Sequence, residues 1–461
     1  MRTLHAGLLA ALILVAGCVP GDEAARDAAS DATTVPFVAR TALYEVFVRD
    51  FSETGDFQGV MDGLDRIQAA GAEVVWLMPI YPVGEVNRKG TLGSPYSVRD
   101  YRAVNPRFGT ADDFRALVEA VHDRGMKLIL DWVPNHTAWD HDWVTEHPEY
   151  YARDAAGEMT VPRDLEGNLT DWTDVVELDY SEPGLRRAMT EAMKYWVEEF
   201  GVDGFRVDVA GHIPPDFYRD AIPELRSAAD TELLMLAEWD EPWLHDVGFD
   251  LTYPWSSYHR LKEVWNGGRA VEFVGEEIED LSRMPDGSYR MRMTTNHDET
   301  AWDAPPVELF GGVAGARAAF VAMALLPGPP LLYNGQEVES PQRLPLFELE
   351  AVEWDQPDAG DARAFYRQVI DLSKTHPALA AGDLQIAYTD AEDDVIAYSR
   401  DHVVVLVNPR DRPLEVAVTA LDLTGARNLL DGGVQDGNTV ALSAHGAAVL
   451  EMESSGARRT E

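Results

Sequence analysis

From about residue 41, short apolar runs alternate with amphipathic stretches, and this rhythm constrains the fold more than any other feature. Eight runs read as strands: residues 42–51, 72–80, 126–133, 202–209, 232–239, 247–255, 289–297 and 329–337. Most are nearly continuously apolar, as in MKLILDWV and ELLMLAEW. Such strands suit a parallel sheet covered on both faces. Between them lie helix patterns. In ADDFRALVEAVHDRG, Phe114, Leu117, Val118 and Val121 share one face, Thr110 is placed to cap the start, and Gly125 to end it. Leu185, Met189, Met193, Trp196, Val197 and Phe200 mark a second helix stopped by Gly201. Eight β/α alternations predict an α/β chain folded as a (β/α)8 TIM barrel, spanning 41–376. A hydrophobic content of 46% over 461 residues is ample for its core.

Two departures from the rhythm predict additional domains. Between the third strand and the helix at Pro183, residues 138–179 are polar and aromatic-rich, far too long for an ordinary βα loop. They are expected to form an inserted subdomain. From 377 to 453, strand patterns such as VIAYSR, HVVVLVN and AAVLEM predict a C-terminal antiparallel β-sandwich. Residues 454–461 read as a disordered tail.

Polar residues sit where the apolar runs stop. Asp131, Asn135 and His136 lie in DWVPNHT, and Arg206 and Asp208 in GFRVDVAGH. Glu238 follows LLMLA, and His297 and Asp298 lie in TTNHDE. Catalytic groups of a (β/α)8 barrel gather at the C-terminal ends of its strands. A single buried acid there is as readily a structural ion pair. Several carboxyl groups together with His and Arg are what glycoside chemistry needs: two carboxyls flank the bond and polar groups hold the sugar.

These segments, in this order, resemble the α-amylase family of retaining glycosidases and transglycosidases. YEVFVRDF, PYSVRDYRAVNPRFGT and GPPLLYNGQE match it as well, so the resemblance runs over about residues 41–450. It implies that Asp208 is the nucleophile, Glu238 the acid/base and Asp298 the third carboxylate. It implies that His136 and His297 donate to the sugar, that Tyr96 lies beneath it, and that Arg206 and Asp131 order the site. The family often holds a structural calcium near its inserted domain. The resemblance makes Asn135, Glu177 and the His212 carbonyl the candidates, with Asn135 as a plain buried hydrogen-bonding residue the alternative. Three features depart from the family pattern: Gly211-His212 where Lys-His is usual, Ser94 where His often precedes the platform tyrosine, and the segment VELDY. They bear on substrate length and linkage, not on the retaining mechanism.

The resemblance implies hydrolysis of α-1,4 links in malto-oligosaccharides derived from starch or glycogen. Transglycosylation, or action on sucrose, trehalose or α-1,6 links, is the alternative. A non-catalytic glycan-binding lipoprotein is a third reading, disfavoured because Asp208 and Glu238 are both present. The formal charge of −42 argues against nucleic acid or an anionic membrane surface as a partner. It fits either a well-solvated acidic surface or adaptation to salt, which screens self-repulsion.

The one cysteine, Cys18, excludes an intrachain disulfide. Arg2, an apolar run at 8–15 and Val15-Ala16-Gly17-Cys18 resemble a bacterial lipoprotein signal with its cleavage box. This implies a signal peptide at 1–17, a lipidated Cys18, a flexible tether at 18–40 and a place on the membrane at the cell envelope, on the periplasmic or cell-surface side.

Overall fold

The computed structural model describes residues 36–453. The expected signal peptide, Cys18 and the tail at 454–461 lie outside the described residues. All eight expected strands form: β1 (Leu43–Val46), β2 (Val74–Leu77), β3 (Lys127–Trp132), β4 (Gly204–Val207), β5 (Leu234–Ala237), β6 (Leu251–Thr252), β7 (Tyr289–Arg290) and β8 (Leu331–Tyr333). Each pairs in parallel with its sequence neighbour, and β1 pairs with β8 (Leu43 opposite Leu331). A parallel bridge between Arg292 and Pro330 closes the ring between β7 and β8.

The period-two geometry of strands divides the apolar residues into two sets. Leu43, Val74, Trp76, Ile129, Leu234, Leu236, Leu251 and Leu331 form one buried cluster, the barrel interior. Their alternates Tyr44, Val75, Leu77, Leu128, Leu130, Phe205, Met235 and Ala237 join the larger cluster under the helices. Both faces are buried, which is why the strands read as continuous apolar runs.

Two helices behave as their sequences predict. In α1 (Ala111–His122), Thr110 accepts from the Asp113 backbone while Asp113 reaches back, a capping box worth about 1 kcal/mol. Helix α2 (Pro183–Phe200) buries all six expected apolar residues and stops at Gly201, whose φ of 69° is left-handed. Gly204 opens β4 at φ +142°, and a Cβ there would lie 1.9 Å from the Leu234 carbonyl oxygen. The close approach of β4 to β5 therefore requires glycine.

The insert leaves the barrel through a short hairpin in which His136–Ala138 pairs antiparallel with Val175–Glu177. Its Tyr150 and Tyr151 are buried, and Trp143 packs edge-on against Tyr150. Tyr150 and Tyr151 belong to the same buried cluster as the barrel's helix-side core, and Trp143 packs against it.

After residue 376 the chain forms a five-stranded antiparallel sheet and a two-stranded one, Leu414–Ala417 with Thr439–Leu442. Val404, Leu406, Val416, Val440, Leu442 and Leu450 fill the space between them. The other face of the larger sheet, with Ile396, Tyr398, Val403 and Val405, belongs to the barrel's helix-side core. HVVVLVN is apolar throughout because its strand is covered twice. Arg400 is buried at this junction, donating to the Leu325 and Gly382 carbonyls. Residues 37–40, expected within the tether, form a 3-10 turn in which Ala39 is buried.

Candidate functional site

The polar residues at the barrel mouth continue the inward-facing register of the strands. Glu45 lies two residues beyond Leu43, Asp131 two beyond Ile129, and Glu238 two beyond Leu236. Arg206 and Asp208 follow Gly204 on the same face of β4 and its extension. The side-chain period of two therefore stacks a charged layer on an apolar one.

Arg206 is the centre of that layer, with a side chain that is 0% exposed. Its Nη1 donates to Asp131 at 2.9 Å and to Asp208 at 3.1 Å, and Nη2 lies 2.5 Å from Glu238. Its Nε donates to the Tyr253 hydroxyl at 3.2 Å. Burial disfavours the guanidinium charge, but Asp131 and Glu238 outweigh it and hold the cation firmly. The planar fork allows one side chain to serve three carboxylates.

Burial and the neighbouring Glu238 charge push Asp208 well above the usual carboxylate range. Burial likewise raises Glu238 against the pull of Arg206, with Asp298 adding to the rise. The two acids titrate as a pair that retains a proton more readily than isolated carboxyls. For Glu238, burial is the larger cause of the rise, which leaves it a weaker acid than a free carboxyl and able to carry a proton.

Val209, next after Asp208, takes a left-handed φ of 37°, uncommon for a β-branched residue and costing about 1–3 kcal/mol. This sharp turn presents its N–H to Glu238 Oε2 at 2.8 Å. The strained residue thereby links the two acids.

His297 joins the other side. Its Nδ1 meets Glu45 at 2.5 Å, and Nε2 meets the Tyr96 hydroxyl at 2.7 Å and Asp298 at 3.2 Å. Burial opposes its charge, but Asp298 and Glu45 prevail and raise it well above the usual histidine value. Burial would raise Asp298, but His297 and then Arg206 outweigh it and keep its carboxylate below the usual range. Tyr96 stacks on His297 at 5.4 Å between centroids and donates to Asp131 at 3.1 Å. Asp131 also accepts from Trp76 at 3.2 Å, and burial raises it despite Arg206. Burial lowers His136 to about 3, so it meets a ligand as neutral imidazole.

Tyr96, His136, Asp208, Glu238 and Asp298 line a single cavity of about 340 Å3. Lys89, Trp172, Trp302 and Phe347 are also part of its wall. Of the insert's aromatic residues, Tyr150 and Tyr151 are buried core, and Trp139 and Trp143 pack against it. The cavity's aromatic wall comes from Trp172, Trp302 and Phe347 instead. Glu45 was also missed, although a charge inside the apolar β1 run was a visible signal. Nothing in the sequence marked Trp302 as exposed.

Of the residues suggested for calcium, Glu177 and His212 lie beside Arg163, and Asn135 beside His136. Glu177 accepts from the Arg163 backbone at 3.4 Å and lies 4.0 Å from its guanidinium. His212 also faces the Arg163 backbone, and the Asn135 side chain contacts the His136 ring. Calcium takes six to eight oxygen ligands. Of Asn135, Glu177 and the His212 carbonyl, Glu177 alone carries a charge, and the Arg163 guanidinium lies 4.0 Å from it.

Known proteins carry the same architecture. The family description "Alpha amylase, catalytic domain" matches residues 30–248. A crystal structure of an alpha-amylase from Lactobacillus plantarum superposes with a TM-score of 0.79 at 32% identity, covering 90% of this chain and 99% of that one. The chain belongs to the α-amylase family. Alpha-amylase MalA of Haloarcula japonica is 30% identical over 82% of this chain and 57% of its own length. An alpha-1,4-glucan:maltose-1-phosphate maltosyltransferase of Cereibacter sphaeroides is 28% identical over 78% of this chain and 57% of its own. The chain thus spans little more than half the length of these two relatives. The charged layer around Arg206 lies at the mouth of this α-amylase-family barrel.

Proposed function

We propose that this protein is a retaining glycoside hydrolase that cleaves α-1,4 links in starch- or glycogen-derived oligosaccharides. The observation that carries this reading is the contact of Asp208 and Glu238 with adjacent nitrogens of one guanidinium, both facing one cavity. Retaining enzymes keep their carboxyls about 5–5.5 Å apart, too close to admit a water on the far side of the sugar.

In the proposed reaction, Asp208 attacks the anomeric carbon and forms a covalent β-glycosyl ester. The bond to the leaving oxygen breaks, and Glu238 supplies the proton that oxygen takes. Water then enters, Glu238 removes its proton, and the water oxygen displaces Asp208 from the anomeric carbon. Two inversions return the α-anomer, and both side chains regain their starting states. Arg206 opposes the rise in the Asp208 pKa and so favours its nucleophilic anion, while Asp298 and His136 engage sugar hydroxyls above Tyr96 and His297 holds Asp298 from behind. The name of the Cereibacter sphaeroides relative supports transfer to a sugar acceptor as the second reading. The aromatic wall of Trp172, Trp302 and Phe347 is the surface such an acceptor would use.

The deciding experiment incubates the protein with maltotriose to maltoheptaose, starch, pullulan, isomaltose, sucrose and trehalose and follows the first product by NMR. Fastest cleavage of α-1,4 glucans with initial α-anomer release is expected. Initial β-anomer release would overturn the mechanism, and exclusive action on another sugar would replace the substrate.

The Val15-Ala16-Gly17-Cys18 box supports a further part of the reading: export and attachment to the cell envelope through a lipid on Cys18. Among the described residues no helix is long and apolar enough to cross a membrane.

A further inference from the structure

Where the last barrel helix meets the C-terminal sheet, three ligand-type side chains converge. His376 directly follows the helix Ala359–Thr375. His402 lies in the turn between strands Ile396–Arg400 and Val403–Val407, and Glu451 ends strand Ala447–Glu451. His376 Nε2 is 3.1 Å from Glu451 Oε1, and His402 Nε2 is 3.7 Å from the same oxygen. One ligand atom from each residue falls within 4.8 Å of the others.

Those spacings have a meaning. Tetrahedral zinc with bonds of about 2.0–2.1 Å sets neighbouring ligand atoms about 3.3 Å apart. The two measured separations bracket that edge. His376 is the inner ligand, with a side chain 13% exposed, while His402 and Glu451 are 33% and 36% exposed. One side of the trio therefore opens to solvent. His376 Nδ1 is buried without a hydrogen-bond partner, so the polar contact of this ring is concentrated on the nitrogen aimed at Glu451.

We propose that His376, His402 and Glu451 form a three-ligand site for a zinc-class divalent cation, with water in the fourth position, fastening the barrel to the C-terminal domain. Two imidazoles and one carboxylate are a donor set for zinc and its neighbours, whereas calcium and magnesium call for oxygen ligands. None of the three residues lines the cavity beside Asp208, so the ion is structural and takes no part in glycoside chemistry. The ligands come from three chain segments that are brought together only in the folded state, so binding there stabilises that state.

The test uses the full chain, stripped with EDTA and titrated with zinc chloride by calorimetry, with Tm followed in parallel. One zinc ion per chain, a rise in Tm and no displacement by excess calcium chloride are expected. His402→Ala, in an exposed turn, and Glu451→Gln, which preserves shape, should each weaken zinc binding more than about 100-fold, beyond the 10–100-fold typical of outer-shell changes. Both variants should keep the metal-free Tm and glucan hydrolysis of the parent. The absence of saturable zinc binding, undiminished binding in His402→Ala, or equal competition by calcium would each overturn the proposal. None of these readouts depends on which sugar the barrel accepts.

Discussion

Glu45 and His297 meet at 2.5 Å inside the barrel, with neither side chain exposed, although 252 residues separate them in the chain. The contact turns one imidazole nitrogen to the barrel interior and leaves the other for Tyr96 and Asp298. A strand-1 carboxylate thereby orients His297 and, after Asp298, helps hold its charge. Glu45 acts through His297 and is a positioning residue.

Glu45→Gln should therefore lower kcat/KM about 10–100-fold, the range seen when a partner behind an active group is lost. His297 is raised in the fold, so its charge is present at low pH and lost as pH rises through its folded value. Removing Glu45 takes away part of that rise. The alkaline limb of the pH–rate profile should move to lower pH, and an unchanged profile would refute the assignment.

Asp208→Asn and Glu238→Gln should each reduce turnover by at least about 10^3-fold. Asp208→Asn should also gain stability at alkaline pH. Asp208 has a raised pKa in the fold, so its contribution to stability is fully present below its unfolded value and is lost as pH rises through the folded one. Asn does not titrate, and the advantage of the variant must grow with pH. Scanning calorimetry at pH 5 and pH 8 should show Tm above the parent by about 1–3 °C at the higher pH, with a smaller margin at the lower.

Trp302 is 65% exposed, lines the cavity and meets Phe347 at 5.7 Å between ring centroids. Its indole also helps lower the pKa of Asp298, after His297 and Arg206. Trp302→Ala should raise KM for maltoheptaose about 5–10-fold, the loss of one stacking contact, with little change in Tm. An unchanged KM would remove Trp302 from the glucan surface.

Cys18→Ser should release the protein from the membrane fraction of expressing cells, unprocessed or soluble. Normal retention of the variant would refute the lipid anchor.

Much of this protein was legible in its residues because the signals are local. The eight apolar runs, the capping box at Thr110 and the stop at Gly201 each depend on residues close in the chain. The period of two placed Arg206 and Asp208 on one face before any contact was known. Other features needed the closed ring. Glu45 gains its partner only because β1 and the chain beyond β7 face the same interior. Trp172 and Trp302, in separate segments, become one wall only around the cavity, while Tyr150 and Tyr151, equally aromatic, turn inward to the core. His376, His402 and Glu451 carry no spacing signature, since three separate segments supply them. The sequence by itself determined the strand and helix pattern and the residues able to do glycoside chemistry, because hydrophobic period and side-chain type are properties of short segments. Tertiary structure decided which charges share Arg206 and which rings meet solvent, because burial and long-range contact are set only when distant segments pack together.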